Sequence, residues 1–280
     1  MIETLLYLGP NGSYSDLAKN SFIKYFSDNC EFIKKDSIFD VIEELIEAND
    51  VKAGAVLPIE NSIEGCVNET QDDLLVLAKN KYYIFAETNI NINHCLVSYG
   101  DKSQIKTIIS HPQALAQCRN YIHKNFKNNV YLMPKLSTSL AISELSQDDL
   151  SIAAIGSKYC ANLFNVPIIE ETINDEKNNK TRFVLLSKET PNDISNNKIS
   201  IVFSTKNESG ALNKILSIIE KYGLNMTHIN SRPSKKELGE YLFYVDIEGY
   251  IEQNNIKQAI VEIESSALLF KIISKGALLI

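Results

Sequence analysis

Short apolar runs alternate with amphipathic stretches along the first two thirds of the chain. Runs at 5–8, 53–57, 82–86, 95–98, 105–110, 130–133, 152–155 and 182–186 have the length and β-branched content of strands, and 13–27, 37–48, 112–124, 138–145 and 157–164 carry helical spacing. Two helix starts are marked by capping-box-like pairs, Ser13 with Asp16 and Ser37 with Asp40, and the second opens an apolar stripe of Phe39, Ile42 and Ile46. Strands that alternate with helices of this length predict an α/β fold of mainly parallel sheets covered on both faces, as one sheet or as two lobes.

Periodicity stops at 187–198, SKETPNDISNNK, where Pro, Asp, Asn and Ser collect; a linker is expected over 188–198, between units at 1–187 and 199–280. Beyond it the pattern changes to strand 200–204, helix 209–222, strands 225–231 and 241–247, helix 254–264 and strand 270–274. Leu212, Ile215, Leu216, Ile219 and Tyr222 form one stripe and Ile256, Ala259, Ile260 and Ile263 another, so each helix has a single buried face. The order βαββαβ predicts a ferredoxin-like unit with two helices on one face of an antiparallel sheet, by analogy a small-ligand and dimerisation module.

Composition narrows the function. The 280 residues are 44% hydrophobic and 22% charged, those of a globular chain of about two domains. Twenty-eight basic against 35 acidic residues give −7, and the lysines are scattered, which argues against nucleic acid and anionic membrane as partners. No apolar segment has the length of a signal peptide or a membrane span, and five widely spaced cysteines form no Cys-x-x-Cys pair, so a cytoplasmic protein with reduced thiols is expected.

The chemistry should lie where predicted strands end, at Gly9-Pro10-Asn11-Gly12-Ser13, Pro58-Ile59-Glu60-Asn61-Ser62, Ser110-His111-Pro112-Gln113 and Pro134-Lys135-Leu136-Ser137-Thr138. Ligands of open α/β sheets bind beyond the carboxyl ends of strands, where helix N-termini favour a small anion held by backbone donors and short hydroxyls. Each such Ser or Thr could equally be a plain helix cap. The glycines fit neither a dinucleotide nor a triphosphate loop, and the histidines lack metal-ligand spacing; no cofactor and no metal are expected. His111 is open between cap and pocket donor, whereas His94 and His123 read as surface or satisfied core.

Taken in order, several motifs resemble the prephenate dehydratase family: Gly9-Pro10-x-Gly12-x-x-Ser15, Pro58 to Gly65 with Val67-Asn68-Glu69-Thr70, Ser110-His111-Pro112-Gln113-Ala114-Leu115-x-Gln117-Cys118, Ser137-Thr138, Thr181-Arg182-Phe183, Gly210-Ala211-Leu212 and Ser231-Arg232-Pro233. The resemblance implies a two-lobed catalytic domain like type II periplasmic binding proteins, the second lobe at about 88–165, followed by an ACT domain. It implies decarboxylation and dehydration of prephenate to phenylpyruvate, without the chorismate mutase bundle that some members carry, and a homodimer or homotetramer inhibited by L-phenylalanine.

Carried over, the catalytic positions fall on Thr181, Glu60, Asn61 and Gln117, and substrate contacts on Ser13, Ser62, Ser110, His111, Thr138, Arg182 and Phe183. A threonine hydroxyl is a poor acid, so Thr181 is expected to orient the leaving hydroxyl while Glu60 or His111 supplies the proton. The effector site is expected at Gly210, Ala211, Leu212, Asn230, Ser231, Arg232 and Pro233. Asn230 stands where the family usually has Glu, which bears on effector strength. The competing readings are arogenate as substrate and a non-catalytic small-anion sensor.

Overall fold

The structure is a computed structural model and describes residues 1–127, 129–189, 198–235, 237 and 239–280. The first lobe runs β1 (Ile2–Leu8), α1 (Tyr14–Ser21), β2 (Phe26–Lys35), α2 (Ile38–Ala48), β3 (Ala53–Asn61), β4 (Gly65–Cys66), α3 (Asn68–Lys79) and β5 (Tyr83–Asn91). The chain then crosses to a second lobe of β6 (His94–Val97), β7 (Thr107–Ser110), α4 (Pro112–Gln117), α5 (Arg119–Phe126), β8 (Tyr131–Pro134), α6 (Thr138–Ser143), β9 (Ile152–Ser157), α7 (Lys158–Leu163) and β10 (Ile168–Glu170). It returns to the first sheet as β11 (Lys180–Ser187), and β12 (Lys198–Ser204), α8 (Ala211–Lys221), β13 (Met226–Pro233), β14 (Tyr241–Glu248), α9 (Asn254–Ser266), β15 (Leu269–Lys275) and β16 (Leu278–Leu279) follow.

The expectation of mainly parallel sheets holds only at the centre of each lobe. β2-β1-β3 and β8-β7-β9 are parallel, but β11 is inserted antiparallel between β3 and β5, and β6 and β10 are antiparallel additions to the second sheet. The reason is the double crossing: a strand that re-enters from the other lobe runs opposite to the strands already laid down. The second lobe's sheet begins at His94 and ends at Glu170, later at both ends than expected.

Three local differences have physical causes. The expected helix at 13–27 stops at Ser21, and Phe26–Lys35 forms an edge strand whose exposed and half-buried residues do not alternate in a readable way. The expected helix 112–124 breaks at buried Cys118, because Asp175 accepts from the Asn120 and Tyr121 N–H groups at 3.0 and 3.3 Å and gives its own N–H to Gln117 O at 2.8 Å. The unpredicted α3 opens with six polar residues before Leu74, Leu75 and Leu77 pack into the core. Of the expected linker, 190–197 lies outside the described residues.

The C-terminal sheet, ordered β13-β14-β12-β15, turns one face to α8 and α9 and the other to the first lobe. Val202, Tyr244, Ile273 and Ala277 share a core with Leu57, Ile59, Leu74 and Ile84, and β16 adds a parallel strand to β5. Among the described residues no helix is long and apolar enough to cross a membrane.

Candidate active site

Between the lobes lies a cavity of about 770 Å³, lined from the first lobe and β11 by Ser13, Tyr14, Asn61, Asn179 and Thr181 and from the second by His94, His111, Gln117, Ser137 and Thr138. Strand pairing brings Thr181 opposite Asn61 and Arg182 opposite Glu60. Because successive side chains on a strand face opposite ways, the first pair turns into the cleft and the second away from it.

Around Thr181 the polar groups form a continuous relay. Asn61 Oδ1 accepts from the Ile63 and Glu64 N–H groups, both at 3.0 Å, which fixes the amide's orientation. Asn61 Nδ2 then donates to Asn179 Oδ1 at 2.8 Å, Thr181 Oγ1 at 2.9 Å and Lys180 O at 3.2 Å. Asn179 Nδ2 continues to Gln117 Oε1 at 3.1 Å, and His94 Nε2 meets the same oxygen at 3.0 Å. Thr181 Oγ1 is thus held as an acceptor and its hydroxyl proton is left for a ligand. The Gln117 NH2 group likewise has no partner among the described residues.

Three helix N-termini open on the same cavity. Ser13 Oγ accepts from Asp16 N at 3.1 Å, His111 Nδ1 from Gln113 N at 3.3 Å, and Ser137 Oγ from Leu140 N at 2.9 Å. The His111 bond leaves its proton on Nε2. No lysine or arginine is among the described lining residues; Asp36 is the lining carboxylate, exposed on the loop after β2. Amide hydrogens, hydroxyls and helix dipoles are therefore the groups available to hold an anion, against a wall of Leu8, Ile92, Ala114 and Leu140.

The lobes meet at the β1–α1 turn. Gly12 has φ +82°, and a Cβ there would lie 2.8 Å from Cys160 Sγ and 2.9 Å from Ser139 Oγ, so only glycine permits this approach. Ser139 Oγ donates to Asn11 O, and the Tyr159 hydroxyl donates to Asp16 Oδ2 at 3.0 Å.

A prephenate dehydratase model matches residues 5–191, and an ACT domain model matches 199–265. The chain belongs to the prephenate dehydratase family. The prephenate dehydratase of Methanocaldococcus jannaschii is 41% identical over 256 residues, 90% of this chain and 91% of that one. A solved prephenate dehydratase from Arthrobacter aurescens, in complex with L-Phe, superposes with TM-score 0.83 at 27% identity, covering 97% of this chain and 88% of that one. A structure described as a quorum-quenching acylase, GqqA, superposes with TM-score 0.81 at 23% identity over 97% and 96% of the two chains, a likeness of fold alone.

Of the residues the prephenate dehydratase resemblance implies, Asn61, Gln117, Thr181, Ser13, His111 and Thr138 line the cleft. Five do not. Glu60 and Arg182 sit on the opposite face of β3 and β11, joined at 3.1 Å, with Arg182 also 3.0 Å from Asp246 and 3.4 Å from Glu87. Phe183, displaced by a register shift after Arg182, is buried in the core with Val56, Phe85 and Leu185. Buried Ser110 donates to Ile155 O at 2.6 Å. Ser62 ties two loops together, donating to Asn178 O at 3.1 Å and accepting from Lys180 N at 2.9 Å.

In the ACT part, Gly210 starts α8 with open space around its Cβ direction, followed by Ala211 and Leu212. Along β13 the alternation puts Ser231 and Pro233 on the exposed side and Asn230 and Arg232 against α3. Asn230 donates to Gln71, and Arg232 holds Asp72 at 2.8 and 3.3 Å. His94 and Asn179, buried in the relay, line the cleft although neither is among the expected site residues. His94 falls in no spaced motif and Asn179 stands two residues before Thr181, and polar residues that will be buried carry no periodic signal.

Proposed function

We propose that the chain converts prephenate to phenylpyruvate in the cleft between its lobes, with Thr181 as the residue at the reacting centre. What carries this reading is the one-way relay from the Ile63 and Glu64 backbone through Asn61, which leaves the Thr181 proton free to hydrogen-bond the departing ring hydroxyl. The reaction needs little else: as the ring carboxylate leaves as carbon dioxide, its bonding electrons enter the ring, the C–O bond breaks, and the hydroxide takes a proton to become water. Positioning and an apolar wall that sheds water lower this barrier. Gln117, Ser137 and Thr138, which line the cleft, are the groups assigned in this reading to the substrate's two carboxylates.

Glu60 does not serve as the proton reservoir in this reading, because it is turned out of the cleft; His111 offers its Nε2–H as a hydrogen bond to the departing oxygen, and the proton that completes the water comes from solvent. L-phenylalanine is the proposed effector, bound at the Gly210 and Ser231 region of the ACT unit at 199–280 with a second copy completing the site. Edge strand β13 and its exposed Ile229 offer a surface for that copy, in a cytoplasmic homodimer or homotetramer.

Incubating the purified chain with prephenate and following phenylpyruvate tests the activity. Thr181→Ala should lose about 100-fold or more in kcat. Turnover of prephenate by that variant at the parental rate would refute the assignment.

A further inference from the structure

The relay has a direction, and backbone groups set it. With Asn61 Oδ1 taken by two N–H groups, only Nδ2 can face Asn179 and Thr181. Asn179 must then turn its oxygen to Asn61 and its NH2 to Gln117, and Gln117 must turn Oε1 to Asn179. His94 Nε2, 3.0 Å from that same Oε1, must therefore carry a hydrogen. The imidazole is 3% exposed, and its Nδ1 is buried with no partner among the described residues. The ring is seated by the edge of Tyr14, 6.0 Å between centroids, and its backbone N–H donates to Asn174 Oδ1 at 2.9 Å.

We propose that His94 is a positioning residue for the reaction: as the neutral Nε2–H tautomer it locks the Gln117 carboxamide with its oxygen toward the relay and its NH2 toward the cleft. Burial lowers the tendency of His94 to take a second proton, against the opposing pull of Gln117, which keeps the ring neutral in this role. Without the His94 donor, Gln117 keeps only Asn179 to orient it, and a carboxamide turned the other way presents an oxygen to an anionic substrate. The proposal rests on the cleft being the prephenate site.

His94→Phe keeps an aromatic ring against Tyr14 and removes the donor. Its kcat is expected to fall about 10- to 100-fold and its KM to rise, as the misturned carboxamide meets the anionic substrate. His94→Gln places a neutral N–H near the Nε2 position and is expected to recover kcat to within about fivefold of the parent. Parental kcat in His94→Phe, or His94→Gln no better than His94→Phe, overturns the proposal. Nitrogen NMR of the histidine-labelled full chain decides the lock without any turnover: the Nε2–H tautomer at neutral pH supports it, and an Nδ1–H tautomer or an imidazolium overturns it. Absence of parental turnover with prephenate would count against the proposed reaction instead, and the NMR result would still stand on its own.

Discussion

Asn61→Asp is nearly isosteric and puts an acceptor where Asn61 Nδ2 donated to Thr181, Asn179 and Lys180 O. One carboxylate oxygen can still accept from the Ile63 and Glu64 N–H groups, but the other faces Thr181 Oγ1 with no hydrogen to give. Thr181 must then turn its own proton to that carboxylate and away from the cleft. Removal of one directed donor at a reacting oxygen costs about 2.7–4 kcal/mol, so kcat should fall about 100- to 1,000-fold. The new charge also repels the substrate, by about 3 kcal/mol per substrate charge at roughly 6 Å and an effective dielectric constant of about 20, which raises KM.

Burial pushes the introduced carboxyl group's pKa up, and its protonated form regains a donor, so the defect should shrink as pH falls. Steady-state appearance of phenylpyruvate across pH gives all of these quantities. The decisive comparison adds Thr181→Val. Asn61→Asp should cost less in the Thr181→Val background than alone, because the branch through the Thr181 proton is already gone and only the branch through Asn179 to Gln117 remains, so the two losses are less than additive. A single Asn61→Asp variant within about fivefold of the parental kcat, or full additivity in the double variant, would refute the reasoning.

Two further tests probe the surroundings of the site. Burial pushes the Asp246 carboxyl up, but Lys198, Arg182 and the Ser200 hydroxyl outweigh it and hold it at about 2, below the ordinary 3.8. A depressed carboxylate stabilises the fold above its unfolded value and loses that contribution as pH falls through its folded value, so Asp246→Asn should cost about 2 kcal/mol at neutral pH. In urea unfolding the gap between parent and variant should close between about pH 4 and pH 2; a gap constant over that window sinks the prediction. Gly12→Ala puts a Cβ 2.8 Å from Cys160 Sγ at φ +82°. It should destabilise by about 2–4 kcal/mol and lower kcat as the lobes part, and a Tm within about a degree of the parent would show that the contact can yield.

Legibility in the sequence followed burial pattern. Apolar strands such as β3, where Ala53 to Leu57 are all buried, and helices with one wet face, such as α8, could be read because hydrophobic spacing is the signal. Edge strand β2 and the three-residue β10 could not, since neither buries enough to leave a pattern. Within the site, motif order pointed to Asn61, Gln117 and Thr181. It could not separate them from Glu60 and Arg182, because adjacent residues in a motif belong to opposite faces of a strand once the strand forms. Ser13 and Ser110 illustrate the same limit: hydroxyls at strand ends are as suited to capping a helix or pinning a neighbouring strand as to touching a ligand, and only the fold distinguishes them.

The face that Glu60 and Arg182 share explains why a regulatory unit can matter to a cleft it does not line. Arg182 and Lys198 are set among Glu60, Glu87 and Asp246, with Lys198 2.7 Å from Glu87 and 3.0 Å from Asp246. These groups come from β3, β5 and β11 on one side and β12 and β14 of the ACT sheet on the other. Breaking such a buried cluster by moving one partner leaves an uncompensated charge, a cost of about 3–5 kcal/mol, so the two sheets resist sliding independently. The carriers of that constraint on the catalytic side are the strands that hold Asn61 and Thr181, one residue away and in matched register. A shift of the ACT sheet that drew Arg182 with it would twist β11 at Thr181, and the Asn61 hydrogen bond, at 2.9 Å, is the contact least able to absorb it, since the other end of that amide is pinned to backbone.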